Sequence, residues 1–161
     1  MAPSEAHTER IKQELRDAGI TSFGRLRFSC RHLPQVIHED EHIMAAIYGR
    51  YREGGGFLSL SEGVLVATSH RIIFLDHKPG YTKLDELGYD LVVGIRHSKA
   101  GPFSAVTIHT RIGDFTIRFC KHAQAEQFVH YVETRGRLET TTVAPTLGKE
   151  RHPGEVHGRN S

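Results

Sequence analysis

Hydrophobic and polar residues alternate most clearly between residues 103 and 120. In the segment FSAVTIHT, valine and isoleucine alternate with threonine and histidine, and in DFTIRFC three apolar residues alternate with threonine and arginine. A period of two is typical of strands with one buried and one solvated face. Because the linker Arg111-Ile112-Gly113 offers a glycine for positive φ, the pattern predicts a β-hairpin. Its expected core residues are Val106, Ile108, Phe115, Ile117 and Phe119.

Shorter apolar runs before this hairpin also predict strands. The segments HIMAAIYGRYR, GVLVATS and RIIFLDH have strand length and many β-branched residues, and they are separated by breaks such as EGGG and Pro79-Gly80. Extended chain is expected to continue through YTKLDELGYDL and Leu91–His97. Six or seven strands are therefore expected, with Val64, Val66, Ile72 and Phe74 in the core.

Helices are predicted at both ends of this β-rich region. Thr8 is the expected cap of an N-terminal helix whose apolar stripe is wide enough to dock on a body and too thin for a core. A second short helical turn is expected around Leu33. After the hairpin, Phe128 and Val132 share one helical face with Ala125, and that helix is expected to end near Gly136.

Composition divides the chain into three parts. We expect an N-terminal helical extension (1–40), a β-rich domain (41–138) and a C-terminal tail (139–161). The tail is rich in Thr, Pro, Gly and charge, a composition that predicts disorder. Many short strands followed by one amphipathic helix indicate a strongly bent antiparallel sheet whose open end the helix closes.

The two densest apolar runs are separated by four polar residues, Thr68-Ser69-His70-Arg71. This break is either a bare turn that lets two apolar strands face one core, or a polar binding handle at a hairpin tip. In the first interpretation, which we favour, Arg71 pairs with Asp85 or Glu86 on the next strand and fixes the register.

The same stretch carries a family resemblance. An apolar strand ending in Thr68, two turn residues and then Arg71–Phe74 resembles the hairpin of bacterial pleckstrin-homology-like domains, particularly the YokE-like branch, with GRAM domains as relatives. Three further segments resemble strands of that family in order: Glu41–Ile43, Leu91–His97 and Val106–Thr110. The resemblance covers about residues 40–138. It implies a mainly β (α+β) fold, a two-sheet antiparallel barrel closed by a C-terminal helix, which acts by binding and not by catalysis.

Charge and cysteine content exclude several functions. The formal net charge is only +2, which gives no case for a nucleic-acid binder. The two cysteines, Cys30 and Cys120, form no CxxC motif, so a reduced, cytoplasmic protein is expected. No apolar stretch approaches the ~20 residues that span a bilayer, so we expect membrane contact, where it occurs, to be peripheral at the inner face.

One segment matches a catalytic motif. His38-Glu39-Asp40-Glu41-His42 fits HExxH, which on a helix directs two imidazoles at one zinc ion, with the first Glu as general base. Both intervening residues are acidic, and the segment that follows predicts a strand. A zinc hydrolase is therefore a remote alternative, and neither an enzyme nor a cofactor is expected.

Two classes of ligand fit the family resemblance. PH domains that bind phosphoinositides collect Lys and Arg around the loop joining their first two strands, and the resemblance implies Arg50, Arg52, Arg71, Lys78 and Lys83 as candidates. Nothing basic lies from Glu53 to Thr68, so half of that basic motif is missing. We therefore expect a module for protein–protein interaction or self-association through an edge strand. A peripheral adaptor for anionic lipid headgroups is the alternative.

Overall fold

The computed structural model describes residues 2–21, 27–52 and 60–142. Within these ranges, three α-helices, one short 3-10 helix and seven strands follow in chain order. They are α1 (Glu5–Asp17), α2 (Phe28–Val36), β1 (Ile43–Arg52), β2 (Leu60–Thr68), β3 (Ile72–Lys78), β4 (Tyr81–Leu87), the 3-10 helix (Tyr89–Leu91), β5 (Val92–Ala100), β6 (Phe103–Thr110), β7 (Gly113–Cys120) and α3 (His122–Thr142). The strands form one antiparallel sheet in the order β4-β3-β2-β1-β7-β6-β5, so β4 and β5 are its edges.

Strand β1 joins the two halves of this sheet. Its last residues, 50–52, pair with β2 on one side and with β7 on the other. Just before them, a Cβ built on Gly49 would lie 2.5 Å from the carbonyl oxygen of Arg118. Only glycine lets the two backbones approach this closely. The sheet bends here into the PH-like arrangement that the sequence predicted.

The inner side of the bent sheet and α3 enclose the main core. Phe128 is fully buried between both halves of the sheet, and Ala125 and Val132 pack beside it, as the helical spacing predicted. Most of the other expected core residues are buried as well, and Phe115 is partly buried.

Phe119 is the exception, and its predicted core position is wrong. The pairing of β6 with β7 shifts by one residue at a bulge, and Phe119 adopts a φ of 59°. The bulge places Cys120 in the core in its stead, and the Phe119 ring is 55% exposed. Simple alternation fails here because a bulge re-aims one side chain.

A second core lies on the outer side of β1–β3. The apolar stripes of α1 and α2, represented by Leu15 and Leu33, pack against outward-facing residues of the strands. These strand residues include Val64, Val66, Ile73 and Leu75. The buried imidazole of His7 fastens the two helices together, since its Nε2 lies 3.1 Å from the carbonyl oxygen of Pro34 and 2.9 Å from that of Ile37. From the sequence, the apolar stripe of α1 was expected to be too thin to form a core. It contributes to one because α2 supplies a second apolar stripe beside it.

Two helix ends differ from the sequence prediction. Helix α1 is capped by Ser4, whose Oγ accepts a hydrogen bond from the backbone N–H of His7 at 3.2 Å, and not by Thr8. Helix α3 continues past Gly136 to Thr142. The first four residues of the expected tail are therefore helical, and the remainder lies outside the described residues.

Candidate binding surfaces

The polar break between β2 and β3 is a tight turn organised by Thr68. Its Oγ1 accepts hydrogen bonds from the backbone N–H groups of His70 at 3.1 Å and Arg71 at 3.0 Å. The same hydroxyl donates to Glu41 Oε1 at 2.6 Å. Thr68 therefore shapes the turn and connects it to the segment that precedes β1.

Buried Glu41 and half-buried Arg71 form an ion pair beside this turn. The Glu41 carboxylate accepts hydrogen bonds from Arg71 Nε at 2.9 Å and Nη2 at 3.1 Å, a two-point pairing of guanidinium and carboxylate. Arg71 Nη1 also donates to Glu86 Oε1 on β4 at 2.5 Å, as one of the two sequence alternatives predicted. Burial alone raises the pKa of Glu41, but the hydrogen bonds from Arg71, Thr68 and the backbone of His38 outweigh it and lower the pKa to about 2.

The HExxH match forms a turn and not a helix. Helix α2 ends at Val36 and β1 begins at Ile43, so the helical face that would aim both imidazoles at one metal is not formed. His42 Nδ1 lies 2.7 Å from Glu14 Oε1, and Glu14 Oε2 accepts a hydrogen bond from the backbone N–H of Ile43 at 2.9 Å. This turn fastens α1 to the sheet. Within residues 2–21, 27–52 and 60–142, no three His, Cys, Asp or Glu side chains are grouped to hold a metal ion.

The five basic candidates lie at opposite ends of the first half of the sheet. Arg50, Arg52, Lys78 and Lys83 are near the end where β1 and β3 finish and β4 begins. Arg71 lies at the other end, where β2 finishes and β3 begins. The structure thus brings four of the five positions to one end and separates Arg71 from them.

Carboxylates accompany the two lysines at that end. Lys78 Nζ lies 3.5 Å from Asp76 Oδ2, and Lys83 Nζ lies 3.7 Å from Asp85 Oδ2. The Asp76 side chain is buried, so its carboxylate is held in place next to Lys78. A nearby carboxylate offsets the positive charge that a phosphate group requires. In the described part of the chain no helix is both long and apolar enough to cross a bilayer.

A cluster of two histidines and a serine lies where α3 begins. The buried Ser104 hydroxyl contacts Nδ1 of His122 and lies 2.7 Å from Nε2 of His97. Neighbouring Cys120 donates to the carbonyl oxygen of Ser104 at 3.0 Å, and burial raises the pKa of its thiol to about 11. Burial likewise raises the pKa of Cys30 to about 12. These groups stabilise the core and are not exposed nucleophiles.

The outer side of β5–β7 carries a surface that sequence reasoning did not single out. Helices α1 and α2 cover β1–β3, and α3 packs on the inner side, so this side faces solvent in the structure described here. A cleft of about 420 Å³ lies on it. We call this surface the β5–β7 outer face and define it by Arg96, Phe103, Thr107, Thr116, Arg118 and Phe119. The alternating pattern predicted its polar side chains only as a generic solvated face.

Comparison with known proteins identifies the family. A family model described as a bacterial PH domain matches residues 37–134, which is more than half of the chain. The chain belongs to the bacterial PH domain family, which confirms the resemblance seen in the sequence, and the YokE-like branch stays a prediction. A search of curated proteins finds no match.

One solved structure supports the fold. The N-terminal PH domain of Vps36 superposes with a TM-score of 0.51 and 16% identity over 65% of this chain and 86% of that chain. The PH domain of USP37 is similar at a TM-score of 0.44 and 14% identity over 58% of this chain and 97% of that chain. At 16% identity the likeness to the Vps36 domain shows the fold alone.

Proposed function

We propose that this bacterial PH domain is a non-catalytic protein-binding module whose partner, another protein or a second copy of the chain, adds a strand along β5. The observation that carries the proposal is the free edge of β5, which pairs only with β6 in the described chain. Val93 on this strand is 62% exposed. An edge strand offers unpaired N–H and C=O groups to a strand from another chain.

Strand β5 is a better acceptor than the other edge, β4. Strand β4 has seven residues and carries three charges, Lys83, Asp85 and Glu86, which oppose the approach of another strand. Strand β5 has nine residues and carries two charges, Arg96 and Lys99, and Lys99 Nζ lies 3.3 Å from Glu126 Oε1 on α3. The longer and less charged edge offers more backbone hydrogen bonds.

Peripheral binding to anionic lipid headgroups is the second candidate. It is favoured by the four basic positions at one end of the sheet: Arg50, Arg52, Lys78 and Lys83. It ranks lower because Asp76 and Asp85 lie beside the two lysines and because Arg71 is engaged by Glu41 and Glu86.

Site-specific photo-crosslinking in the native cell tests the proposal. A photoreactive amino acid at Val93 should give a discrete protein adduct, identified by mass spectrometry as a partner or as a second copy. The matched control places the same group at Glu133, which is exposed on α3. The proposal is overturned if neither position yields a protein adduct while the purified protein sediments with phosphatidylserine vesicles and loses that binding on Arg50→Ala/Arg52→Ala substitution.

A further inference from the structure

The β5–β7 outer face carries guanidinium groups that lack acidic partners among the residues the structure describes. Arg96 on β5 and Arg118 on β7 line the same cleft, and neither forms an ion pair with a residue in the described ranges. Asp114, the acidic residue of the cleft, lies at the far end of β7 with its Oδ1 3.0 Å from His109 Nδ1. The centre of the face is therefore positive.

Hydroxyl groups lie between these arginines. Arg96 pairs in register with Thr107, and Thr107 pairs with Thr116 on β7. The two threonine Oγ1 atoms are 3.0 Å apart. Guanidinium and hydroxyl groups are donors to carboxylate oxygens, so this row is equipped to bind acidic side chains.

A like-charged pair extends the positive region toward β1. Arg50 and Arg118 are direct neighbours in the register of β1 with β7, an arrangement that is unfavourable unless an anion lies between or beside them. On the other side of Arg50 the register neighbour is Glu62, which hydrogen-bonds to the side chain of Tyr48. The Arg50 guanidinium lies over the Phe119 ring at 5.4 Å from its centroid.

Phe119 is exposed at the expense of backbone strain. A φ of 59° is rare for a bulky residue and costs conformational free energy. Such strained residues cluster at functional sites. The bulge turns its ring out of the core to a position where it meets the exposed ring of Phe103 edge-on, with the ring centroids 6.0 Å apart. Two exposed aromatic rings at the end of a basic cleft form an anchor for an apolar side chain.

We propose that the β5–β7 outer face binds an acidic segment of the protein partner, with Arg96 and Arg118 as the carboxylate-binding residues and the Phe103–Phe119 pair as the apolar anchor. This inference rests on the proposed protein-binding function and adds the chemistry of the partner. Arg96 on β5 is level with Thr116 on β7, and Arg118 is two residues further along that strand. The backbones of Arg96 and Arg118 are therefore separated by about 9–10 Å across the sheet and by about 6–7 Å along the strand. That spacing suits several carboxylates along a peptide better than one phosphate group.

Fluorescence anisotropy with a defined peptide tests the inference on the full chain. The probe is a short fluorescein-labelled peptide rich in glutamate with one phenylalanine, and its matched control carries glutamine at every glutamate. We expect the glutamate peptide to bind, the glutamine peptide to bind about tenfold more weakly or not at all, and added salt to weaken binding. The variant Arg96→Gln/Arg118→Gln should lower the affinity for the glutamate peptide about tenfold or more.

A second double variant separates a specific site from general charge attraction. Arg16→Gln/Arg31→Gln removes the same charge from exposed positions on α1 and α2, on the other side of the molecule. It should leave the affinity within about twofold. Thermal unfolding of both variants reports whether each is folded.

Three outcomes overturn the inference. The first is that both double variants weaken peptide binding equally, and the second is that the glutamate peptide does not bind. The third is that phosphatidylserine vesicles bind the wild-type protein but not the Arg96→Gln/Arg118→Gln variant. That result would show that the face binds membranes. If Val93 still crosslinks to a partner protein in the first two cases, the proposed function stands and only the chemistry assigned to this face is wrong.

Discussion

The outer side of β1–β3 and the β5–β7 outer face differ in what covers them. On β1–β3 the outward residues next to the N-terminal helices are mainly aliphatic, among them Val64 and Ile73, and these helices cover them. On β5–β7 the outward residues include arginine, threonine and two phenylalanines, together with His109 and Asp114, and no helix of the described chain covers them. A face that a protein covers permanently is apolar, whereas a face that exchanges ligand with solvent keeps polar groups around a few apolar anchors.

This difference changes what counts as the domain. The bacterial PH family model begins at residue 37, just after α2. The helices before it nevertheless bury the apolar part of the outer side of β1–β3, and α1 is tied to the turn before β1 through Glu14 and Arg10. We infer that the helices are structurally required, and that the β5–β7 outer face is the side left for a partner.

Removal of residues 1–36 should have the largest effect. It would expose four large aliphatic side chains, each worth about 1.5–3 kcal/mol when buried, against a typical domain stability of about 5–15 kcal/mol. These residues are Val64, Val66, Ile73 and Leu75. We expect aggregation or a molten state, measured by size-exclusion chromatography and dye binding. As a control, removal of residues 143–161 should change the unfolding free energy little. A stable, monomeric 37–161 fragment would contradict the claim that α1 and α2 are structurally required.

Single substitutions compare how much each of the two faces contributes to stability. Leu15→Ala on α1 should cost about 2–5 kcal/mol because Leu15 is fully buried in the second core. Phe103→Ala on the open face should cost less than about 1 kcal/mol because its ring is 44% exposed. Urea unfolding measures both values, and equal costs would show that the faces are not distinct in the way described.

The Glu41–Arg71 pair tests the junction between the helices and the hairpin. Glu41→Gln should cost about 3 kcal/mol at pH 7, because half-buried Arg71 then keeps its charge with one carboxylate partner fewer. The folded pKa of about 2 lies below the unfolded value, which is about 4.3. The stabilisation that ionised Glu41 contributes to the free energy of unfolding is therefore complete above about pH 4.3. It is lost as the pH falls toward 2.

Urea unfolding between pH 7 and pH 2.5 checks this dependence. The difference between wild type and Glu41→Gln should shrink as the pH falls, and a constant difference would contradict the assigned pKa. Glu39→Gln, an exposed position in the same turn, is the control and should have no measurable effect.

Phe119→Gly should have the smallest effect on stability and the clearest meaning for function. Glycine adopts positive φ at no steric cost, so relief of strain should offset the lost ring contact and leave the unfolding free energy within about 1 kcal/mol of wild type. Binding of the acidic peptide should nevertheless weaken. A large loss of stability would show that the exposed ring serves the fold and not a ligand.

The sequence predicted what depends on local pattern. Alternation located the hairpin of β6 and β7, and helical spacing located Phe128 and Val132 in the core. It did not predict the pairing of Arg71 with Glu41, which lies 30 residues earlier in the chain. Sequence reasoning noted Glu41 only in the HExxH match and in the family resemblance of Glu41–Ile43. It did not find the partner of Glu41, because a long-range contact leaves no local periodic signal.

The remaining errors have the same cause. The bulge that exposes Phe119 adds one residue to β7 without a glycine or proline to mark it. The second core needs stripes from α1 and α2 together, and neither stripe alone predicts it. The β5–β7 outer face emerges only when β5, β6 and β7 are side by side, because its residues are dispersed from Arg96 to Phe119.

Solvent accessibility of the two faces, measured by NMR with a soluble paramagnetic gadolinium chelate, tests the central claim most directly. In the isolated protein we predict strong relaxation enhancement at the β5–β7 outer face, for example at Thr107 and Arg118, and weak enhancement at Val64 and Ile73 under α1 and α2. Comparable enhancement on both faces would contradict the claim that the chain covers one side of its sheet and leaves the other for a partner.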